Sequence, residues 1–351
     1  MKLAILFLIL IPSAAQAGLF KIVNRNYGSA GAYQADLDVI FNTLENQVNA
    51  LLPASDNASF MTSMANNAVL SGAGNSAYYG SPFQIFEASV QAGISVESER
   101  APSESITLNR VGGVGAQAQV RLGSHLNIYG DKWWIFDLER AWMYVGLLTY
   151  DYSKDVTNFR FGAASVYFQY RLTESSSALW NSLKWNGLFV GTGLRYISLK
   201  VNMEQPVTET VSQVVDTMPG TPTVTANYNG RMAAGAEVQA LSVPIELSIS
   251  ARILYAFTFF FGVGADISLG KAKSIANLTG PVTITESSAS YGSFSGDALL
   301  DIGDEGSPRT IGARSFSGIA FEIGAASIHV ITTRSIPERD TAVNAGLRLY
   351  W

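Results

Sequence analysis

The chain has 351 residues, 48% hydrophobic and only 15% charged, with a formal net charge of −5 and no cysteine. That much apolar content excludes a disordered chain, the missing cysteine excludes a disulfide scaffold, and the absence of a basic cluster argues against a nucleic-acid partner. After residue 17 no apolar run approaches the ~18 residues that a membrane-spanning helix needs, so an apolar soluble core and a transmembrane barrel remain.

Residues 1–17 carry Lys2, then an apolar run over 3–11, then small residues ending in Ala15-Gln16-Ala17. That is the layout of a cleaved secretory signal, with Gly18 expected to start the mature chain. No cysteine follows the cleavage point, which excludes a lipoprotein anchor. Residues 18–80 read as a helical segment. Leu37, Ile40, Phe41, Leu44, Val48 and Leu51 recur at helical spacing over 32–52 until Pro53. Residues 56–70 offer a second helix, with Phe60, Met61, Met64 and Val69 on its inner side. Two such helices bury too little surface to stand alone. They are expected to plug a barrel or to cap its periplasmic mouth.

From residue 83 the period changes to 2, the signature of strands. The spans are 83–97, 111–123, 139–151, 157–172, 185–202, 227–253, 256–272, 310–323, 326–335 and 341–351. In 83–97, for example, Phe86, Ala88, Val90, Ala92, Ile94 and Val96 oppose Glu87, Ser89, Gln91, Gly93, Ser95 and Glu97. Each span meets the ~9–11 residues that a tilted transmembrane strand requires. Residues 139–151 are apolar on both faces and carry no orientation. In 227–253 the apolar positions change from even (Met232 to Ala240) to odd (Ile245 to Ile253). A bulge at Val243-Pro244 accounts for that change. The polar face is rich in Gly, Ser, Gln and Arg and poor in the Lys and Glu of a water-facing surface, which favours a lumen.

The fold class expected is therefore all-β, an antiparallel transmembrane β-barrel over residues 81–351. The even-number rule sets about ten strands, with eight or twelve if residues 283–298 pair. Residues 98–110, 203–226 and 273–309 fall on the outer side as long loops. Trp133, Trp134, Trp180, Trp185 and Trp351 fall near the periplasmic rim, where a girdle of tryptophan belongs.

The charges assigned to the lumen are Glu87, Arg121, Arg171, Arg195, Arg231, Glu237, Glu246, Arg252, Asp266, Glu322 and Arg348. Arginine pairs with carboxylates in two-point fashion, and a barrel of about ten strands is narrow. Such charges bridge the lumen, or else line a narrow, anion-favouring path for small solutes. Catalytic chemistry is thin. Ser327 and His329 share one face, but their Cα atoms are expected ~7 Å apart, a poor geometry for a nucleophile and base. Residues 111–115 are glycine-rich without a following helix, and residues 297–306 are acidic without EF-hand spacing. No enzyme activity, metal or cofactor is expected.

The chain ends with Val343, Ala345, Leu347, Leu349 and Trp351 alternating against Ala342, Asn344, Gly346, Arg348 and Tyr350. This resembles the C-terminal targeting strand of Gram-negative outer-membrane β-barrel proteins. The resemblance implies an outer-membrane location, with lipid, lipopolysaccharide and the barrel assembly machinery as partners. It also implies that Val343, Leu347, Leu349 and Trp351 act as the assembly signal. The function expected is a narrow, porin-like pore or a structural barrel with surface-exposed outer loops. An adhesin for an unidentified extracellular ligand and, more distantly, a lipid-modifying barrel hydrolase are the alternatives.

Overall fold

A computed structural model describes residues 21–28, 34–51, 57–73, 85–98, 111–180, 182–214, 223–286, 293–336 and 340–351. The expected signal segment, 1–17, lies outside the described residues. The elements in chain order are β1 (Lys21–Asn26), α1 (Gln34–Leu51), α2 (Asn57–Ser71), β2 (Phe86–Ser98) and β3 (Val111–His125). A two-stranded ribbon of β4 (Lys132–Trp133) and β5 (Phe136–Asp137) follows. Then come β6 (Ala141–Lys154), β7 (Thr157–Arg171), β8 (Ser176–Ala178), β9 (Leu183–Val214) and β10 (Thr223–Ile253). The last are β11 (Phe257–Glu286), β12 (Ser293–Gly306), β13 (Ile311–Ile323), β14 (Ala326–Ile336) and β15 (Thr341–Tyr350).

The described strands close into an antiparallel β-barrel with an apolar outward face. Among the described residues the ring runs β2-β3-β6-β7-β9-β10-β11-β13-β14-β15 and back to β2. Closure satisfies the backbone without water, which is why a sheet can cross hydrocarbon only as a barrel. The last joint is tight at the inner end, where the Ile85 and Phe86 amides donate to the Trp351 carbonyl at 3.0 and 3.1 Å. Alternation sorts the residues. Val90, Leu122, Leu147, Leu247 and Leu347 face outward, while Gln91, Arg121, Glu246 and Arg348 are buried inside.

Residues 139–151 now have an orientation. Trp142 and Tyr144 point inward, each 2% exposed, and Val145 and Leu147 point out. The segment is apolar on both faces because this part of the lumen is itself aromatic. Trp142 stacks on His125 at 4.7 Å between ring centroids and meets Phe189 edge-on at 6.2 Å.

No bulge occurs at Val243-Pro244. The β10–β11 register is continuous from Val224↔Glu286 to Ile253↔Phe257. The shift against β9 falls instead at Ser250/Ala251. Even residues of β10 therefore face inward throughout, but what they face changes. Ala234, Val238 and Ala240 are buried in the outer part, and Val238 and Ala240 join a cluster with Met61, Ala65, Ala68 and Val69 of α2. Further in, Ser242, Glu246, Ser248 and Ser250 face a polar lumen.

The segments 203–226 and 273–309, expected as loops, are largely strand. β10 has 31 residues, about 100 Å of chain at ~3.3 Å per residue, far more than a bilayer crossing needs. Their Thr and Val content is what a strand prefers. β11 pairs with β13 over Phe257–Ile267 and then with β12 over Ala272–Thr285. β12 receives β1 on its other edge. An outer sheet of β9, β10, β11, β12 and β1 thus rises above the ring. α1 follows β1, and Arg25 ties it down through Asp38 at 2.6 Å and Glu45 at 2.8 Å. The Tyr27 hydroxyl and Arg25 guanidinium together hold the Asp38 carboxyl below the usual carboxylate range.

At the inner rim, Trp133, Trp134, Trp180 and Trp351 are exposed, between 60% and 94%. Leu179-Trp180 and Leu254-Tyr255 form tight turns with positive φ at all four residues, positions where Asn-Gly is usual. The Tyr255 hydroxyl donates to the Trp180 carbonyl, docking one turn on the other.

Closure between β11 and β13 uses a reciprocal lock. Phe316 sits opposite Gly262, and Phe260 opposite Gly318. A Cβ at Gly318 would lie 2.3 Å from Phe260 Cζ, and one at Gly262 would lie 2.1 Å from Phe316 Cζ. Gly318→Val is expected to cost about 1–3 kcal/mol by overpacking. Urea unfolding in vesicles checks it. Phe260→Ala added to Gly318→Val should return part of the loss, and strict additivity of the two would refute the lock.

Candidate functional site: the lumen

Three layers of side chains fill the barrel. In the first, Glu87 lies between two guanidiniums. Arg121 Nη2 donates to its Oε1 at 2.6 Å and Arg348 Nε donates to its Oε2 at 2.8 Å, with all three side chains fully buried. Arg121 stacks over Tyr144 at 4.7 Å and Arg348 over Tyr350 at 4.4 Å. His329, 1% exposed, borders this layer from β14, where a Cβ on Gly346 would meet its ring at 2.6 Å.

The second layer centres on Arg314. Its Nε donates to Asp266 Oδ2 at 2.6 Å and its Nη2 to Glu246 Oε1. Glu246 also accepts from the Tyr167 hydroxyl. Arg195 completes the group with 3.2 Å to Asp266 and 3.1 Å to Ser242 Oγ. Gly191 makes room for it, since a Cβ there would lie 2.0 Å from the Tyr167 oxygen. The third layer is at the inner rim. Thr258 donates to Glu322 at 2.9 Å, Arg252 approaches Glu322 at 3.7 Å, and Arg171 stacks over Trp142 at 5.6 Å. Lys184 is half-buried on the neighbouring stretch of β9, so lysine is not wholly absent from this rim.

Of the charges assigned to the lumen, Glu87, Arg121, Arg195, Glu246, Asp266, Glu322 and Arg348 are buried there. Arg171 and Arg252 are partly exposed near its inner end. Arg231 and Glu237 are corrections. Both are odd residues of β10, on the face opposite Glu246. Arg231 is exposed, and Glu237 meets Lys200 at 3.6 Å on the outside of the raised sheet. The supposed bulge had inverted their faces. Arg314 was missed, though it shares the parity of Glu322 on the same strand. Val343, Leu347, Leu349 and Trp351, expected from the resemblance as an assembly signal, face outward, 44–60% exposed.

α2 closes the outer half of the lumen. Ser95 Oγ donates to the Asn67 carbonyl at 2.5 Å, and the Arg309 amide donates to Asn66 at 2.7 Å. Cβ atoms at Gly113 and Gly115 would lie 2.4 Å from Ser63 Oγ and 2.2 Å from the Asn67 carbonyl oxygen. At its end, a Cβ on Gly72 would collide with Gln117 and Arg195. α2 thus meets the barrel from the outer mouth, and neither α1 nor α2 caps the periplasmic end.

The chain belongs to the Lsa36-like family, whose model matches residues 14–351. No curated protein matches it. LpxR from Salmonella typhimurium aligns at 9% identity and a TM-score of 0.26, over 75% of this chain and 100% of that one. The translocator domain of autotransporter NalP from Neisseria meningitidis aligns at 10% identity and 0.27, over 93% and 99%. The Pseudomonas putida toluene transporter TodX aligns at 11% identity and 0.21, over 84% and 92%. At these scores the likenesses carry no argument about activity.

Proposed function

We propose that this member of the Lsa36-like family is a sealed, non-enzymatic barrel that anchors and displays the raised outer sheet at the cell surface. The supporting observation is the filled lumen. Arg121, Arg314 and Arg348 are among the largest fully buried side chains of the described residues, each ion-paired to carboxylates on an adjacent or next-but-one strand, and α2 packs above them. A conducting pore keeps its charged residues hydrated, and these are dry. Burial also speaks against the hydrolase reading, because Ser327 and His329 are 2% and 1% exposed, out of reach of a substrate. The outer sheet, continuous in register with the wall, gives the display surface a rigid mount.

Planar-bilayer recording of the full chain tests this reading. The expected result is a flat baseline with no current steps. Steady, anion-selective steps would overturn it and favour the narrow-passage reading, for which the inner rim offers three cations (Arg171, Lys184, Arg252) against Glu322.

A further inference from the structure

The barrel wall is split along part of one seam. The β3–β6 ladder runs only from Val120↔Leu147 to His125↔Trp142. Further out, β3 stays paired with β2 as far as Val111, and β6 with β7 as far as Lys154. No pair joins β3 to β6 there among the described residues. A cleft of about 450 Å³ occupies the gap, within the ~300–1,000 Å³ range of ligand sites. One lip presents the outward face of the wall at Ile94, Ala116 and Ala118, and the other presents the lumen-side face at Leu148, Phe159 and Phe161. The composition of β3 explains the split. Its glycine-rich outer end lets α2 come against Gly113 and Gly115, drawing β3 toward the helix. Small residues at 116 and 118 leave the vacated volume unfilled.

We infer that this cleft is a binding slot for one acyl chain of a bilayer lipid. It is continuous with the surface through which the barrel meets the membrane, where Val90, Ile94 and Val343 are 57%, 62% and 44% exposed. Val343, at its border, is the third residue from the outer end of β15, so the slot opens at outer-leaflet depth. Water is absent from hydrocarbon, and a hydrocarbon chain is the occupant at hand that restores the missing dispersion contacts.

The test uses full-length protein extracted gently from its membrane and examined by native mass spectrometry. One retained lipid per barrel is expected. Ala118→Trp, which fills the slot, should cut its occupancy about tenfold, while Leu269→Trp, outward-facing on β11, leaves it unchanged. Absence of retained lipid, or equal loss in both variants, overturns the inference. A second readout covers misfolding of the tryptophan variant. With no native cysteine, a nitroxide on Leu148→Cys in vesicles reports its surroundings directly. Collisions with oxygen should dominate, as on Val343→Cys, and dominance of a polar nickel chelate refutes the slot.

Discussion

Glu87→Gln is expected to cost the barrel about 3–5 kcal/mol, the effect of removing one partner from a buried ion pair. The substitution keeps the shape and removes only the charge. It leaves Arg121 and Arg348, both fully buried, without the carboxylate between them. Each guanidinium has already lost its water, and the Coulombic return that offset this loss disappears. Urea unfolding in vesicles reads the effect as a lower midpoint at unchanged slope. Glu305→Gln is the control. Its pair with Lys273 in the outer sheet is 59% exposed on the Glu305 side, and screened surface pairs contribute little, so no resolvable shift is expected. The triple replacement Glu87→Met, Arg121→Met, Arg348→Met should recover most of the loss, because an apolar layer can match a buried triad. Equal midpoints for Glu87→Gln and Glu305→Gln would contradict the layered lumen.

The second large effect is expected at Arg314→Met, again about 3–5 kcal/mol. Here the geometry is reversed: one cation serves two acids, Glu246 and Asp266. Its loss removes the guanidinium that both carboxylates share, while Arg195 still lies 3.2 Å from Asp266. Adding Glu246→Gln to Arg314→Met removes one of the stranded charges and should restore part of the stability. The coupling in that double-mutant cycle measures the pair itself. A cycle with no coupling would mean that Arg314 acts through packing on Phe316, 5.7 Å away, and not through charge.

Much of the fold was legible because β alternation is local. Eight of the ten spans read from period 2 end within about four residues of an observed strand, from 83–97 against Phe86–Ser98 to 341–351 against Thr341–Tyr350, while 185–202 and 256–272 stop well short of Leu183–Val214 and Phe257–Glu286. Glu87, Arg121, Arg195, Glu246 and Arg348 could be assigned to the inner face by parity alone. Arg314 was within reach of the same rule, two residues from Phe316 and four from Gly318 on the same face. What misled was β10. An apolar-to-polar change along one face looks like a register slip, yet the face is constant and its surroundings change. Arg231 and Glu237 were misplaced for that reason. The outer strands were read as loops because Thr, Ser and Gly serve both, and only their ladders distinguish the two.

The sequence by itself determined which residues share a face, since the pleat imposes a period of two on any strand whatever its neighbours. It also carried the expectation of a membrane barrel, through the Gly, Ser, Gln and Arg of the inner face and the resemblance of the last strand to outer-membrane targeting strands. Only the tertiary structure decided what each face meets. Hydrocarbon, the α2 helix, a salt-bridged lumen and open water above the ring are all distant in sequence. Whether Ala240 packs on a helix or Ser242 meets an arginine depends on contacts that no local pattern contains. The split between β3 and β6 belongs to that class too: it arises where a helix from the N-terminal part of the chain pulls one strand away from its neighbour.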